Sequence, residues 1–238
     1  MVTKEYKRKD RTLEETRPIT AKAGIIKNAD GSGYFKIGNT EAYAAVYGPR
    51  NLYPRFMQNP STGILRVNYA MMPFSGSGDR VRPGPNRRAK EISMVIEKAF
   101  MPVLDLKEFP NAVVDIFIEL PQTDAGTRCA GICAASIALA DAGLPMKDMV
   151  TAISFGVVNG TVVVDLDYSE ESYEGEVVDM PMAILPNSGN ISLLQADGIF
   201  TKENFKKILE LAKKTSQKIF EVQKQALKDK YKSSGKEE

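Results

Sequence analysis

The 238-residue sequence predicts an α/β protein of mixed sheets and helices, assembled from two related halves. Three observations lead there. Alternating or β-branched runs recur along the chain, separated by turn chemistry such as "NADGSG" and "GNT". Several stretches change instead to helical spacing of their apolar residues. The order strands, helix, strand, helix of the first half returns more loosely in the second.

Residues 18–27 ("PITAKAGIIK"), 33–38 and 40–47 read as strands, and 62–71 ("TGILRVNYAM") as another. From 86 to about 105 the apolar residues Ile92, Val95, Ile96, Ala99, Phe100 and Val103 form one helical stripe. "NAVVDIFIEL" (111–120) alternates as a strand does, and the alanine-rich 127–142 reads as a helix. In the second half, "AISFGVV" and "TVVVDLD" flank Asn159-Gly160, a strong hairpin signal. "VVDMPMAIL" and "NISLLQADG" flank a second reversal, "PNSG". Thr201 is then expected to cap a long helix reaching about residue 228, with Glu203 complementing the positive end of its dipole. The last residues, "YKSSGKEE" (231–238), read as a polar, disordered tail.

Composition narrows the chemistry. Hydrophobic content of 43% with 26% charged residues is ordinary for a soluble globular protein, and no apolar run is long enough to span a bilayer. "MVTKEYKRKD" has no apolar core of a signal peptide, so a cytoplasmic protein without membrane association is expected. The chain has no histidine, which removes Ser-His-Asp hydrolysis, Cys-His chemistry and histidine-ligated zinc together. Acid–base work falls to Asp, Glu, Lys or Tyr. Cys129 and Cys133 share a helix face without zinc-site spacing and read as small buried residues. A net charge of +2 gives no strong general pull on nucleic acid, so binding a polyanion needs local patches.

Such patches exist. "YGPRNLYPRF" (47–56) sets Arg50 and Arg55 among Tyr47, Tyr53 and Phe56, and "GDRVRPGPNRRAK" (78–90) sets five basic residues against Asp79. Both read as loops, where binding residues concentrate. An arginine cluster also reads as a solvated face, but Arg87 and Arg88 fall at a helix start, where the dipole disfavours positive charge unless an anion is near. "QTDAGTRCAG" (122–131) joins a strand to a helix whose unpaired N–H groups, with Gly126, Thr127 and Arg128, make an anion site suited to phosphate. The same stretch also reads as simple capping by Thr127 with Arg128 in solvent. Acids collect over 165–183. Glu174 and Glu176 read as an acidic hairpin loop, whereas Asp179 sits between Val177, Val178, Met180 and Met182 and is expected to be half-buried, wanting a cation, a metal or a proton-transfer role.

With these residues goes a resemblance. "IKNADGS" (26–32), "AAVYGPR" (44–50), "YPR" (53–55), "LRVNYAMMPFS" (65–75), "PGPNRR" (83–88), "DAGTR" (124–128), "ALADAGLPMKD" (138–148) and "DMPMAILP" (179–186) together resemble the RNase PH family, in particular the catalytic RNase PH-like subunits of archaeal exosomes. The likeness runs in order from about residue 17 to 230, so the chain divides into an N-terminal extension (1–16), one RNase PH-like domain of two halves meeting near 145–150, and the tail (231–238). It implies the RNase PH fold, akin to domain 2 of ribosomal protein S5, and an enzyme that shortens single-stranded RNA from its 3′ end. Inorganic phosphate is the implied co-substrate and nucleoside diphosphate the product. The implied partners are a related non-catalytic subunit in a hexameric ring, a trimer of heterodimers, and RNA-binding cap subunits.

Residue by residue, the resemblance assigns Gly126, Thr127 and Arg128 to phosphate, Arg87 and Arg88 to the RNA backbone near its 3′ end, and Arg55, with Arg50 on the same loop, to the RNA path. Asp179 matches one of two acids needed for chemistry, protonating the leaving 3′ oxygen or holding Mg²⁺ or Mn²⁺ to the same end. The chain departs from the family pattern in three places: Glu171 stands where an aspartate is usual, the loop from there to Asp179 is about two residues longer, and the usual "DGR" is contracted to Asp10-Arg11. Two alternatives follow: an RNA-binding ring scaffold without turnover, or a homo-oligomeric enzyme of the tRNA 3′-trimming type.

Overall fold

The computed structural model describes residues 6–8, 10–84 and 86–234. Pro85 and the last four residues of the expected tail lie outside the described residues. The first half forms a five-stranded sheet from β1 (Ile19–Ala23), β2 (Gly31–Ile37), β3 (Thr40–Asn51), β4 (Ile64–Met71) and β5 (Ala112–Gln122), in the order β1-β2-β3-β5-β4. Only the β4–β5 pair is parallel, because α1 (Arg87–Phe100) supplies the crossover between them. The second half forms a four-stranded antiparallel sheet from β6 (Thr151–Val158), β7 (Thr161–Val164), β8 (Val177–Ile184) and β9 (Ile191–Leu194), in the order β7-β6-β8-β9.

Between the sheets lies α2 (Thr127–Asp141), touching β2, β3 and β5 on one side and β6 and β8 on the other. It is apolar all round, with alanine, isoleucine and cysteine on every face, as a helix wrapped in protein must be. Its approach to β2 is close. A Cβ on Gly31 would stand 2.2 Å from Ala142 N, and one on Gly33 2.3 Å from Ala134 O, so glycine is required at both. One cluster of buried side chains, including Phe35, Phe100, Ile116, Ile132 and Phe155, runs through both sheets. The long α4 (Lys202–Ser234) lies along β1, β6 and α2.

The predicted elements are present with shifted ends. Gly24, at φ 70°, ends β1 before the expected residue 27. Asn159 (φ 48°) and Gly160 (φ 79°) make the β6–β7 turn. The apolar stripe Ile92, Val95, Ile96, Ala99 and Phe100 is buried on α1, and the Thr201 hydroxyl accepts from Asn204 N at 3.1 Å at the head of α4. Residues 231–234 are helical, a correction to the disordered reading of that segment: α4 continues because no glycine or proline interrupts it before Gly235. A short helix not foreseen, α3 (Tyr168–Glu171), carries the acids after β7. Asp167 and Glu170 close its first turn as a reciprocal capping box.

Candidate active site

The site forms where the heads of two helices meet the acid-bearing strand of the second sheet. α1 starts at Arg87, with the Asn86 side chain accepting from Ala89 N. α2 starts after Gly126, whose φ of 69° places it in the left-handed region, and no side chain caps this end. Thr127 lies inside the helix, so the capping reading of that residue does not hold. The first turns of α1 and α2 contain no acid, whereas α3 and α4 carry Glu170, Glu171 and Glu203 there. Asn86 caps α1 and nothing caps α2, but neither dipole is complemented by an acid of its own first turn.

A small polar cleft of about 200 Å³ is lined by Arg88, Asp124, Ala125, Gly126, Thr127, Arg128, Ser154, Glu171, Asp179 and Pro181. Six residues singled out from the sequence thus converge: Gly126, Thr127, Arg128, Arg88, Glu171 and Asp179. Three do not line it. Arg87 is exposed on the neighbouring face of α1, since consecutive helical residues diverge by about 100°. Arg55 lies exposed in a 3-10 turn (Arg55–Met57). Arg50, at the end of β3, pairs with Asp30 at 3.2 Å and stacks 4.8 Å from the Tyr47 ring centroid.

Asp179 is half-buried, as its apolar neighbours suggested. Burial pushes its carboxyl pKa up, the Ser154 hydroxyl bonded to it and Arg128 pull down, and Asp197 pushes up again, with a net rise. Glu171 is exposed as a residue, yet protein atoms crowd its carboxyl. That burial, and then the charge of Asp179, raise it to about 7 against the lowering pull of Arg88, the Gly126 N–H and Arg17. Both carboxyls therefore bind a proton more readily than free acids do. The side-chain amide of Gln195 accepts from Arg128 and donates to Glu91 at 3.3 Å, and Arg128 lies 3.9 Å from Glu91, so the arginine is aimed by both halves.

Sequence reasoning passed over Asp197, Ser154, Gln195 and Arg17. Asp197 adjoins Asp179 through a two-way backbone bridge (3.1 and 2.9 Å) and lines an adjacent recess with it and Glu171. Only the β8–β9 register brings it there, and no local pattern announces it. Among the described residues no group of three or more His, Cys, Asp or Glu is arranged to hold a metal. The cysteines are buried and free, with thiols raised by burial, Cys133 to about 12, as small core residues are. A larger groove, about 910 Å³, lies at the far end of α2 beside α4. Its one acid, Asp148, is occupied by Asn187 through N–H bonds of 3.0 and 2.9 Å, and its other ionisable groups are the basic or phenolic side chains of Lys147, Lys224, Lys228, Tyr231 and Lys232. No described helix is long and apolar enough to cross a membrane.

Comparison with known proteins gives the chain's family. Residues 15–145 match the RNase PH family model described as "3' exoribonuclease family, domain 1", and residues 148–215 match its domain 2. The chain is 51% identical over 217 residues to a protein of Thermococcus gammatolerans named exosome complex component Rrp41, covering 91% of this chain and 86% of that one. To the protein of the same name from Nitrosopumilus maritimus it is 49% identical over 221 residues, covering 93% and 89%. The fold is similar to the crystal structure of rice Rrp46 (TM-score 0.81, 22% identity, 92% of this chain and 98% of that one). It is also similar to a chain of the Archaeoglobus fulgidus exosome with RNA bound to the active site (TM-score 0.74, 21% identity, 89% and 90%).

Proposed function

Because the chain belongs to the RNase PH family of 3′ exoribonucleases, we propose that it removes nucleotides from the 3′ end of single-stranded RNA by phosphorolysis, with inorganic phosphate as co-substrate and nucleoside diphosphate as product. One observation carries this reading: Arg88, Arg128, the unpaired N–H groups at the head of α2 and a protonable pair of acids share one small cleft. Joining two polyanions requires positive charge on both sides of the scissile phosphorus, and the rest of the reaction is largely positioning. Gly126, Thr127 and Arg128 seat the attacking phosphate, while Arg88 holds the linkage beside it, with Arg87 on the strand just outside. Arg50, at the end of β3 rather than on a loop, and Arg55, in its 3-10 turn, guide RNA toward the cleft beside Tyr47, Tyr53 and Phe56. The Asp179–Glu171 pair gives its proton to the departing 3′ oxygen.

Mg²⁺ or Mn²⁺ is compatible with this cleft only as an ion that takes most of its ligands from phosphate oxygens and water, with Asp179 and Glu171 as the protein's contribution; it would supply charge neutralisation. The relatives' name extends the proposal to assembly. The chain works in the cytoplasm as the catalytic member of a hexameric ring, alternating with a related non-catalytic subunit and topped by RNA-binding cap subunits.

The test is end-labelled poly(A) incubated with the chain and its companion subunit, with and without orthophosphate. Nucleoside diphosphate released only when phosphate is present supports the reading. Monophosphates released in its absence, or RNA bound with no product at all, overturn it. The second outcome is that of an RNA-binding scaffold.

A further inference from the structure

The segment before β1 takes part in the fold through three buried arginines that converge on the acidic region after β7. Arg8 makes a fork on Glu170, Nε to Oε1 at 2.6 Å and Nη2 to Oε2 at 2.8 Å. Arg11 reaches the Asp165 carboxylate at 3.0 Å, its carbonyl at 2.7 Å and Glu170 at 3.4 Å. Arg17 holds Asp165 most fully: its backbone N and Nε donate to Oδ2 at 2.7 and 2.9 Å, and its Nη2 donates to Oδ1 at 2.7 Å.

Arg17 also points the other way, toward the first half. Its Nη2 donates to the Ala125 carbonyl at 3.3 Å and its Nη1 to Asp124 at 3.4 Å. The same guanidinium lies against Gly126, 3.5 Å from where a Cβ would stand. Asp124 in turn accepts from the N–H of Tyr168, the first residue of α3, at 3.1 Å. One side chain thus spans the seam between the turn that opens α2 and the helix that ends in Glu171. Asp165 itself has φ 58°, a strained value for a residue with a side chain, and such strain persists where surrounding bonds over-determine it.

A buried charge network is no certain gain in stability, since well-packed apolar groups do as well. What it supplies is fixed geometry, because Arg's planar fork meets a carboxylate in one orientation. Resting on the functional reading above, we propose that Arg17 is a positioning residue: shared between Asp165 and the Asp124–Ala125 turn, it sets the spacing between the phosphate-seating turn and the helix that carries Glu171.

The experiment compares wild type, Arg17→Lys and Arg17→Gln as full chains with the companion subunit, after melting curves establish the folded fraction. Turnover is measured against phosphate concentration, RNA affinity by anisotropy of a labelled oligo(A), and local opening by amide hydrogen exchange. Both variants are expected to lower kcat by about 10- to 100-fold, the cost of a misplacement near 1 Å, and to raise the KM for phosphate, with oligo(A) affinity unchanged within about twofold. Arg17→Lys, which keeps the charge, is expected to recover only part of the loss. Faster exchange should be confined to peptides covering 122–128 and 165–173. Wild-type kcat and KM in folded Arg17→Gln would overturn the proposal, and so would losses in every readout that follow the folded fraction alone. If wild type itself releases no diphosphate, the functional reading fails instead, and the exchange pattern decides on the brace: unchanged exchange in both regions refutes it.

Discussion

Replacing Glu171 by glutamine separates the electrostatic cost of the site from its chemistry. In the folded protein the carboxyl of Glu171 is raised from its usual 4.5 to about 7, first by burial and then by Asp179. At about 1.36 kcal/mol per pH unit, keeping it ionised in the fold costs at most about 3 kcal/mol. The residue is more than a third exposed, so solvent screening reduces this to about 1–2 kcal/mol. The direction follows from the raised value. The folded state binds the proton more tightly than the unfolded chain, so the stabilisation is complete below pH 4.5 and lost as pH rises through about 7. Glu171→Gln has nothing to ionise there. Urea denaturation of both proteins at pH 5 and pH 8.5, conditions about either side of that window, should show the variant gaining about 1–2 kcal/mol on wild type at the higher pH. Other titrating groups are common to both chains and largely cancel; Asp179, relieved of its neighbour, ionises more readily in the variant and adds in the same direction. A stability gap that is the same at both pH values refutes the crowded, acid-paired environment assigned to Glu171. In turnover the same proton should appear as an alkaline limb near neutral pH, flattened and lowered in the variant.

Three further outcomes are expected. Asp179→Asn should lower single-turnover RNA shortening by about 10²- to 10⁴-fold, the range for losing a positioned acid, with oligo(A) affinity unchanged. Arg128→Gln should raise the KM for phosphate by about 10- to 100-fold, the worth of a charge-assisted hydrogen bond to an anion, as read from initial rates over a phosphate series. Gly126→Ala leaves the new methyl in ordinary contact, 3.5 Å from Arg17, but keeps it at φ 69°; the strain of about 1 kcal/mol should lower the melting temperature by about 2–4 °C.

Legibility followed how local each signal was. The stripe from Ile92 to Phe100 could be read because burial of one helix face imposes a 3.6-residue rhythm on the sequence itself. Asn159-Gly160 could be read because few residues accept two successive positive φ angles. Gly126 and Arg128 were legible for the same reason: a strand, a glycine turn and a helix head lie within ten residues. Arg87 and Arg88 were read as a pair, but helical geometry lets only one of two adjacent residues face a given cleft, a distinction already available from the helix prediction. Asp197, Gln195 and Arg17 were out of reach. Their partners lie 18, 67 and 148 positions away in the chain, for Asp179, Arg128 and Asp165 respectively, and sheet register or tertiary packing alone makes those meetings.

The same helices argue that the cleft is built for an anion. Where this chain needs only to end a helix, it uses ordinary means: Asp167 and Glu170 close α3, and Thr201 with Glu203 begins α4. α1 is also capped, by Asn86, yet at α1 and α2 the chain places arginines and no acid in the first turn, at positions 87, 88 and 128. Each costs a few tenths of a kcal/mol up to about 1 against the dipole, and the two heads face the same cleft from different elements of the first half. The only charges opposing them inside that cleft are carboxylates, Asp124 tied to Arg17 and the Asp179–Glu171 pair whose ionisation is suppressed. A cleft in which the lining acids are diverted or hold their protons more tightly than free carboxyls, while cations are concentrated, favours a bound anion. Under the proposed function, orthophosphate beside an RNA phosphodiester is that anion, and the acid pair stands where it can protonate the oxygen that leaves.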